Sequence, residues 1–307
     1  MNAFLLRSDA LVLVDTGPGT DAAYEALTRA LREQQVSISD LEAILVTHGH
    51  VDHVGLLGRL VEESGAKVYA HSTSIMAPEE KEAWEGRSRV FLRGILQTFG
   101  APPEILAATE RARDEVKAMA SRVNLDFPLQ HGDTALGFEV HHVPGHSASD
   151  TLFLDRARRL AFTGDHILRR VTPSPLLRQS RETGERIRSL PEYLTSLRHT
   201  YELDIQVSYP GHGDPFKGHR EIIDSAFARL EKRTNKVRAL LGERPMTPYE
   251  VCKRLFPEID DHNTYVGMAV AVGHLDVLED RGEAVSLIRD SIVYYALTNT
   301  STLKENV

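Results

Sequence analysis

Four metal-capable side chains lie within six consecutive positions of this sequence. They belong to the segment Leu45-Val46-Thr47-His48-Gly49-His50-Val51-Asp52-His53-Val54-Gly55. Because residues two apart in an extended loop point the same way, His48 and His50 can share one ion. Asp52 and His53 then begin the following helix and can face a second ion. Imidazole nitrogens and carboxylate oxygens bind borderline divalent metals such as zinc, so the segment predicts a metal site.

Three later segments place further metal-capable side chains after short apolar strands. They are Val143-Pro144-Gly145-His146-Ser147, Phe162-Thr163-Gly164-Asp165-His166 and Tyr209-Pro210-Gly211-His212-Gly213. Each segment alone is typical of an ordinary turn at the end of a strand. Because all three follow a His-x-His-x-Asp-His motif in the same chain, we expect His146, Asp165 and His212 to complete the site. In the first segment, Gly49 is expected to allow backbone conformations that a bulkier residue would resist.

Strands and helices alternate around these segments. The predicted strands are residues 10–14, 43–47, 67–70, 135–143, 151–155, 159–163 and 205–208, and the predicted helices are residues 21–34, 54–63 and 190–200. This alternation predicts sheets that are covered by helices. Residues 74–127 are charged and helical in pattern but interrupted by glycine and proline, and we interpret them as a helical insertion.

The pattern changes after Pro215. Helices are predicted over residues 221–241, from Thr247 (as N-cap) to Phe256, and over residues 263–280, and strand-like residues follow at 284–297. Three helices followed by a β-hairpin are typical of a winged helix. We therefore predict a catalytic domain over residues 1–216 that contains the insertion, and a winged-helix-like domain over residues 217–307.

The bulk properties exclude several classes of protein. The chain has 307 residues, 26% of them charged, and a formal net charge of -8, which argues against a protein that wraps nucleic acid. Its single cysteine, Cys252, cannot form an intramolecular disulfide or a thiolate metal site alone. The sequence lacks an apolar run of the roughly 18–20 residues that a transmembrane helix needs, so no membrane partner is expected. Arg7 and Asp9 interrupt any signal-peptide region, and we expect a cytoplasmic location.

The ordered set of motifs resembles the dinuclear branch of the metallo-β-lactamase fold superfamily, over the chain from Asp15 to His212. The resemblance implies an α+β fold, a four-layer αββα sandwich with the metals at the edge between its sheets. It also implies the ligands, with His48, His50 and His146 on one metal, Asp52, His53 and His212 on the other, and Asp165 bridging the two. Asp15, in Val-Asp-Thr-Gly, matches a family motif that supports the metal loop without binding metal.

Two further features follow from the same resemblance. The C-terminal pattern Gly273-His274-Leu275, with Leu278-Glu279 and Gly282, fits the small winged-helix domain that one group of these hydrolases carries. Members of the superfamily usually have an additional strand or hairpin before the segment that corresponds to residues 2–6. We therefore expect the sheet to lack an edge strand or the chain to continue upstream.

The implied cofactors are two divalent ions, with Zn²⁺ expected and Mn²⁺ or Fe²⁺ as alternatives. Two such ions roughly 3.5–4 Å apart lower the pKa of a shared water, and the bridging hydroxide is then the nucleophile. Asp52 and Asp165 are the predicted catalytic residues, and Asp52 can both bind metal and orient the hydroxide. His166 and Tyr209 adjoin ligands and are either proton donors or packing residues, with packing favoured.

Acyl hydrolysis of a small molecule is the favoured reaction, on a thioester, lactone or other carboxylic ester, as in hydroxyacylglutathione hydrolases and lactonases. Apolar residues of the insertion could line an acyl pocket or simply pack, and packing is favoured for most of them. They are Ile75, Met76, Trp84, Phe91, Leu92, Ile95, Leu96 and Phe99.

Three alternatives stay open. A phosphodiesterase or endoribonuclease would use the cations of the helix at 221–241, namely Arg229, Lys232, Arg233, Lys236 and Arg238. A β-lactamase-like amide hydrolase would use the same metal site. A binding or dimerisation protein with a vestigial site is disfavoured, because a decayed site would be expected to lose at least one ligand. A homodimer is compatible with each of these functions.

Overall fold

The computed structural model describes residues 1–7, 9–76, 78–118 and 123–298. The chain forms two compact units, each built from three stretches. The first comprises Met1–Ala83, Glu115–Pro173 and Ser196–Asp224, and the second comprises Trp84–Asp114, Ser174–Thr195 and Ser225–Val307. The predicted insertion includes residues 77 and 119–122, and the predicted C-terminal domain includes residues 299–307, which lie outside the described residues.

Short strands and longer helices make up both units. The strands are β1 (Phe4–Arg7), β2 (Leu11–Val14), β3 (Ala43–Val46), β4 (Lys67–His71), β5 (Phe127–Leu129), β6 (Thr134–Ala135), β7 (Phe138–His142), β8 (Thr151–Asp155), β9 (Leu160–Gly164), β10 (Arg178–Gln179), β11 (Arg186–Ile187), β12 (Val207–Pro210), β13 (Ala284–Arg289) and β14 (Ile292–Leu297). The α-helices are α1 (Asp21–Glu33), α2 (Val51–Val54), α3 (Leu57–Ser64), α4 (Pro78–Thr98), α5 (Pro103–Ala118), α6 (Ser189–Glu202), α7 (His219–Glu243), α8 (Pro248–Leu255) and α9 (Asp261–Asp280).

Two five-stranded sheets form the first unit, with strand orders β1-β2-β3-β4-β5 and β12-β9-β8-β7-β6. In the first sheet, β1 is antiparallel to β2 and the remaining pairs are parallel. In the second sheet, β12 is parallel to β9 and the remaining pairs are antiparallel. The carboxyl ends of β3, β9 and β12 are followed directly by the metal motifs.

Alternating side chains on β2 show how the layers pack. Val12 and Val14 lie in one cluster with Phe153 of the second sheet. Leu13 lies in another cluster with Leu60 of α3. Because successive side chains of a strand point to opposite faces, β2 is buried between the second sheet and the helices. The predicted α+β fold, an αββα sandwich, is confirmed.

The second unit contains most of helices α4, α5 and α7, all of α8 and α9, and the hairpin β13–β14. Its apolar core joins Leu96 of α4 and Phe99, the residue after that helix, to Leu241 of α7 and Leu275 of α9. The middle of the predicted insertion therefore packs with the C-terminal helices, because its apolar face matches theirs. Of the residues considered for an acyl pocket, Leu92, Leu96 and Phe99 are core residues here, 3% exposed or less. Helix α4 continues through Gly86, one of the glycines that interrupt the helical pattern of residues 74–127 in the sequence.

The C-terminal elements occur in the predicted order of three helices and a hairpin. Thr247 is the N-cap of α8, and its side chain accepts from the backbone N–H of Glu250 while the Glu250 side chain accepts from the backbone N–H of Thr247. The predicted cap is therefore confirmed, whereas the winged-helix assignment stays a prediction. Within the described residues, no helix is both long enough and apolar enough to cross a membrane.

Candidate metal centre

The first unit brings the seven predicted ligands together at the ends of its strands. Their donor atoms form three groups, each within 4.8 Å: His48, His50 and His146; His48, His53 and Asp165; and Asp52, His53 and His212. The first and third groups have the membership that the resemblance implies for the two metals. Each group contains at least two imidazoles, which suits a borderline divalent cation.

Three histidine rings form the first group. His48 Nε2 and His50 Nδ1 are 3.1 Å apart. The ring centroids of His50 and His146 are 4.5 Å apart, and the rings meet edge to face. His48 and His50 belong to the loop after β3, whereas His146 belongs to the loop after β7, so the group joins one loop from each sheet.

Asp165 connects the first group to the third. Its Oδ2 is 3.7 Å from His146 Nε2 and 3.5 Å from His212 Nε2. Its Oδ1 is 3.5 Å from His53 Nε2. Within the third group, Asp52 Oδ2 is 3.1 Å from His212 Nε2. A single carboxylate thus contacts ligands of both predicted metals, as a bridging residue must.

Two buried atoms test whether cations fit this centre. His53 Nε2 and Asp165 Oδ1 have no hydrogen-bond partner among the described residues. A buried polar atom without a partner costs about 1–3 kcal/mol, and more when it is charged. A divalent cation would satisfy both atoms, and nitrogen and oxygen donors in this combination are suitable ligands for it. The residues therefore fit the metals that the superfamily binds.

Asp15 holds the metal loop in place without facing the ligand groups. Its Oδ1 accepts from the backbone N–H of Thr47 at 2.8 Å, and its Oδ2 accepts from the Thr47 hydroxyl at 2.7 Å. Oδ2 also lies 2.8 Å from His53 Nδ1. This contact orients the imidazole so that Nε2 points to the ligand groups, which is how carboxylates position metal-binding histidines.

The histidines of the centre differ in the direction in which their surroundings shift the pKa of the ring. Burial, together with the neighbouring His146, lowers the pKa of His50 to about 3. Burial likewise holds the pKa of His48 well below its usual value. Burial also lowers the pKa of His53, but Asp15 and Asp165 outweigh it and raise the value to about 10. The carboxylates therefore favour a positive charge at His53, which a bound cation can supply instead of a proton.

Two glycines are required by close approach of the chain. A Cβ at Gly211 would overlap Asp165 Oδ1 and lie 2.5 Å from His53 Cε1. A Cβ at Gly49 would lie 2.5 Å from the carbonyl oxygen of Ser74. A bulkier residue at Gly49 would therefore be resisted for lack of space, and not because of its φ, which is not in the positive region.

His166 and Tyr209 are packing residues. His166 is 0% exposed, and its Nε2 lies 2.8 Å from the Thr200 hydroxyl. The Tyr209 ring lies 5.3 Å from Phe162 and 5.4 Å from Phe4 between ring centroids. These contacts support the packing interpretation over that of proton donors, and they hold the strand ends that carry Asp165 and His212.

Sequence reasoning missed a polar loop beside His146. Asp150 accepts from the backbone N–H of Ser147 at 2.7 Å and from its hydroxyl at 2.6 Å. Ser149 accepts from the backbone N–H of Gly49 at 3.2 Å and so ties the two histidine loops together. The Ser-x-x-Asp spacing is a turn signal that could have revealed the first contact.

Comparisons with known proteins agree with this geometry. A sequence model of the metallo-beta-lactamase superfamily matches residues 2–233. "Probable metallo-hydrolase YqjP" of Bacillus subtilis (strain 168) is 31% identical over 296 residues, which cover 95% of this chain and 92% of that protein. "Thioesterase pkgB" of Emericella nidulans is 26% identical over 242 residues, which cover 78% of this chain and 54% of that protein.

A solved structure extends the likeness to three dimensions. It is that of a metallo-beta-lactamase family protein from Thermus thermophilus, with a TM-score of 0.79 and 27% identity, and the match covers 96% of this chain and 93% of that one. The family match spans all the loops that carry the His and Asp groups described above. The chain therefore belongs to the metallo-beta-lactamase superfamily and is a metallo-hydrolase.

Proposed function

We propose that this protein is a dinuclear hydrolase of small-molecule thioesters, lactones or other carboxylic esters. The observation that carries the proposal is the position of Asp165, whose carboxylate contacts His146 of the first ligand group and both His53 and His212 of the third. A carboxylate between two ligand groups is what a pair of cations requires. Zinc is the proposed metal, because histidine nitrogens dominate the donor set.

The residues around the centre have distinct roles in the proposed reaction. Two bound cations would supply an acidified water and polarise the substrate carbonyl. The Asp52 side chain is 40% exposed, and its Oδ2 is 3.1 Å from His212 Nε2. It is therefore accessible to accept a proton from the attacking water and to orient it. The Asp165 side chain is only 11% exposed, which suits a residue that would hold the cations and not exchange protons with solvent.

Two observations support acyl over phosphoryl chemistry. The Emericella relative is named a thioesterase. The phosphodiesterase alternative depended on the cations of α7, but Arg233 is partly buried with its guanidinium 6.0 Å from the centroid of the Phe256 ring. Arg238 pairs with Glu283. These contacts leave fewer cations for a phosphate backbone than the sequence suggested.

A substrate panel tests the reaction class. The metal-loaded protein would be assayed on acyl-glutathione thioesters, γ-lactones, a chromogenic β-lactam and bis(p-nitrophenyl) phosphate, each with and without chelator. We expect chelator-sensitive turnover that is fastest on a thioester or lactone. A larger kcat/KM on the phosphodiester than on every acyl substrate would contradict the proposal, and so would turnover that is unaffected by metal removal.

Replacing His50 tests the metal assignment. In His50→Ala we expect bound metal to fall and kcat/KM to drop by more than about 100-fold, the upper limit for loss of an outer-shell partner. The matched control is His262→Ala, because His262 is an exposed histidine of α9 that belongs to none of the ligand groups. Metal content, kcat/KM and circular dichroism would be measured on all three proteins. Normal turnover by folded His50→Ala would show the assignment to be wrong.

A further inference from the structure

A second group of histidines lies in the first unit, apart from the candidate metal centre. It comprises His131 in the β5–β6 connection, His141 in β7 and His199 in α6. One ring nitrogen from each lies within 4.8 Å of the other two. None of these residues belongs to the metal motifs, and 58 positions separate His141 from His199 in the chain.

The spacing of the ring nitrogens matches a shared ion. His141 Nδ1 and His199 Nε2 are 3.0 Å apart. His131 approaches both rings, with centroid distances of 5.7 Å to His141 and 5.4 Å to His199. A tetrahedral zinc with Zn–N bonds of about 2.0–2.1 Å holds two ligand nitrogens about 3.3 Å apart. The observed pair needs only a small adjustment to reach that distance.

Two of the three rings, those of His141 and His199, are in the protonation state that binds metal. Burial, together with the neighbouring His199 and His131, lowers the pKa of His141 to about 4. Burial also lowers the pKa of His199, with a contribution from His131. These two imidazoles are therefore neutral at pH 7, and neutral imidazole is the form that donates a lone pair to a cation.

The carboxylate of Glu139 lies near Nε2 of His141, the ring nitrogen that does not face His199. His141 Nε2 is buried without a hydrogen-bond partner among the described residues, and it lies 3.6 Å from Glu139 Oε2. Glu139 in turn accepts from Arg156 Nε at 2.5 Å and Nη2 at 2.7 Å. A proton on Nε2 that faces Glu139 leaves the lone pair on Nδ1, which is how a carboxylate selects the tautomer of a metal ligand.

We propose that His131, His141 and His199 bind one borderline divalent transition-metal ion, zinc being the expected ion. Three protein ligands leave a fourth position for water. The ion links β7 to α6, and α6 also holds the loops of the metal centre: Ser196 donates to the carbonyl of Pro144 at 2.7 Å, and Thr200 bonds His166. The inference does not depend on the proposed function.

Counting bound zinc tests the site. The wild type, the double variant His131→Gln/His199→Gln and the control His262→Gln would be stripped of metal, loaded with Zn²⁺, freed of excess by gel filtration and analysed by mass spectrometry. We expect the double variant to bind one equivalent fewer than the other two proteins. Equal zinc content in all three would overturn the proposal.

A second experiment, in the variant His50→Ala, distinguishes zinc bound at this site from zinc bound at the candidate centre. In His50→Ala, adding Zn²⁺ should still raise the midpoint of thermal unfolding, and introducing His131→Gln should reduce that rise, leaving only the part that the group of Asp52, His53 and His212 supplies. His131 is exposed, so its replacement leaves the fold intact, which circular dichroism would verify. A rise that persists undiminished in His50→Ala/His131→Gln would place the bound zinc elsewhere and overturn the proposal. Loss of zinc from the candidate centre alone would leave this result unchanged.

Discussion

Buried charged groups of the two units differ in whether the atoms that face each other form hydrogen bonds. In the first unit, the facing atoms His53 Nε2 and Asp165 Oδ1 lack hydrogen bonds within the described residues. In the second unit, Asp276 is 0% exposed, and its two carboxylate oxygens accept from Arg186 at 2.7 and 2.6 Å. A buried charge with complete hydrogen bonds fixes a structure, whereas buried donor and acceptor atoms without hydrogen bonds are available to a ligand. The difference separates a structural ion pair from a binding site.

The Arg186–Asp276 pair gives the largest expected change in stability. Arg186→Ala leaves the Asp276 carboxylate buried without its main partner, so we expect the free energy of unfolding to fall by about 3–5 kcal/mol. Activity per folded molecule should be retained, because the seven ligands of the candidate centre all belong to the first unit. Urea unfolding and kcat/KM below the unfolding transition would be measured.

A double replacement sharpens this prediction. Arg186→Met with Asp276→Leu removes both charges and keeps apolar volume, so it should recover most of the lost stability. If the double variant were as unstable as Arg186→Ala, packing around the pair would be responsible instead of the unpaired charge.

Asp15→Asn should have the next largest effect, which is on metal affinity and kcat/KM and not on stability. The amide weakens the contacts with Thr47 and His53 while Asn still tolerates the positive φ of 58° at this position. We expect metal affinity and kcat/KM to fall by about 10–100-fold, as for other outer-shell partners. Competition with a chromophoric chelator would measure the affinity. Wild-type affinity together with wild-type kcat/KM would remove the supporting role assigned to Asp15.

The smallest expected changes in stability come from two buried threonine–histidine contacts, one in each unit, which can be compared as a matched pair. Thr200 bonds His166 Nε2 in the first unit, and Thr234 bonds His274 Nδ1 in the second, each at 2.8 Å. Thr200→Val and Thr234→Val should each lower the free energy of unfolding by roughly 1–2 kcal/mol, because a buried ring nitrogen loses its partner. Both would be measured by urea unfolding.

Activity distinguishes the two variants. Thr200→Val should lower kcat/KM by up to about 10-fold, since His166 adjoins Asp165 and outer-shell losses begin near that size. Thr234→Val should leave kcat/KM unchanged. Equal loss of activity in both would mean that general destabilisation is responsible and that α6 has no particular role in positioning Asp165.

Local patterns predicted the strands near the centre closely. The predicted strand at 151–155 coincides with β8, and that at 43–47 exceeds β3 by one residue. These strands are apolar runs that end at glycine or polar residues, so the local sequence is enough to predict their boundaries. Strands β10 and β11, at two residues each, were missed because so short a segment has no detectable period.

The sequence by itself determined the donor set of the candidate centre, because its histidines and aspartates occur in short motifs directly after apolar strands. Tertiary structure alone decided which atoms face each other there, and that two of them form no hydrogen bond within the described residues. It alone also brought His131, His141 and His199 together and packed α4 with the C-terminal helices. These outcomes depend on strand pairing and helix packing between residues that are distant in the chain, and no local pattern records such contacts.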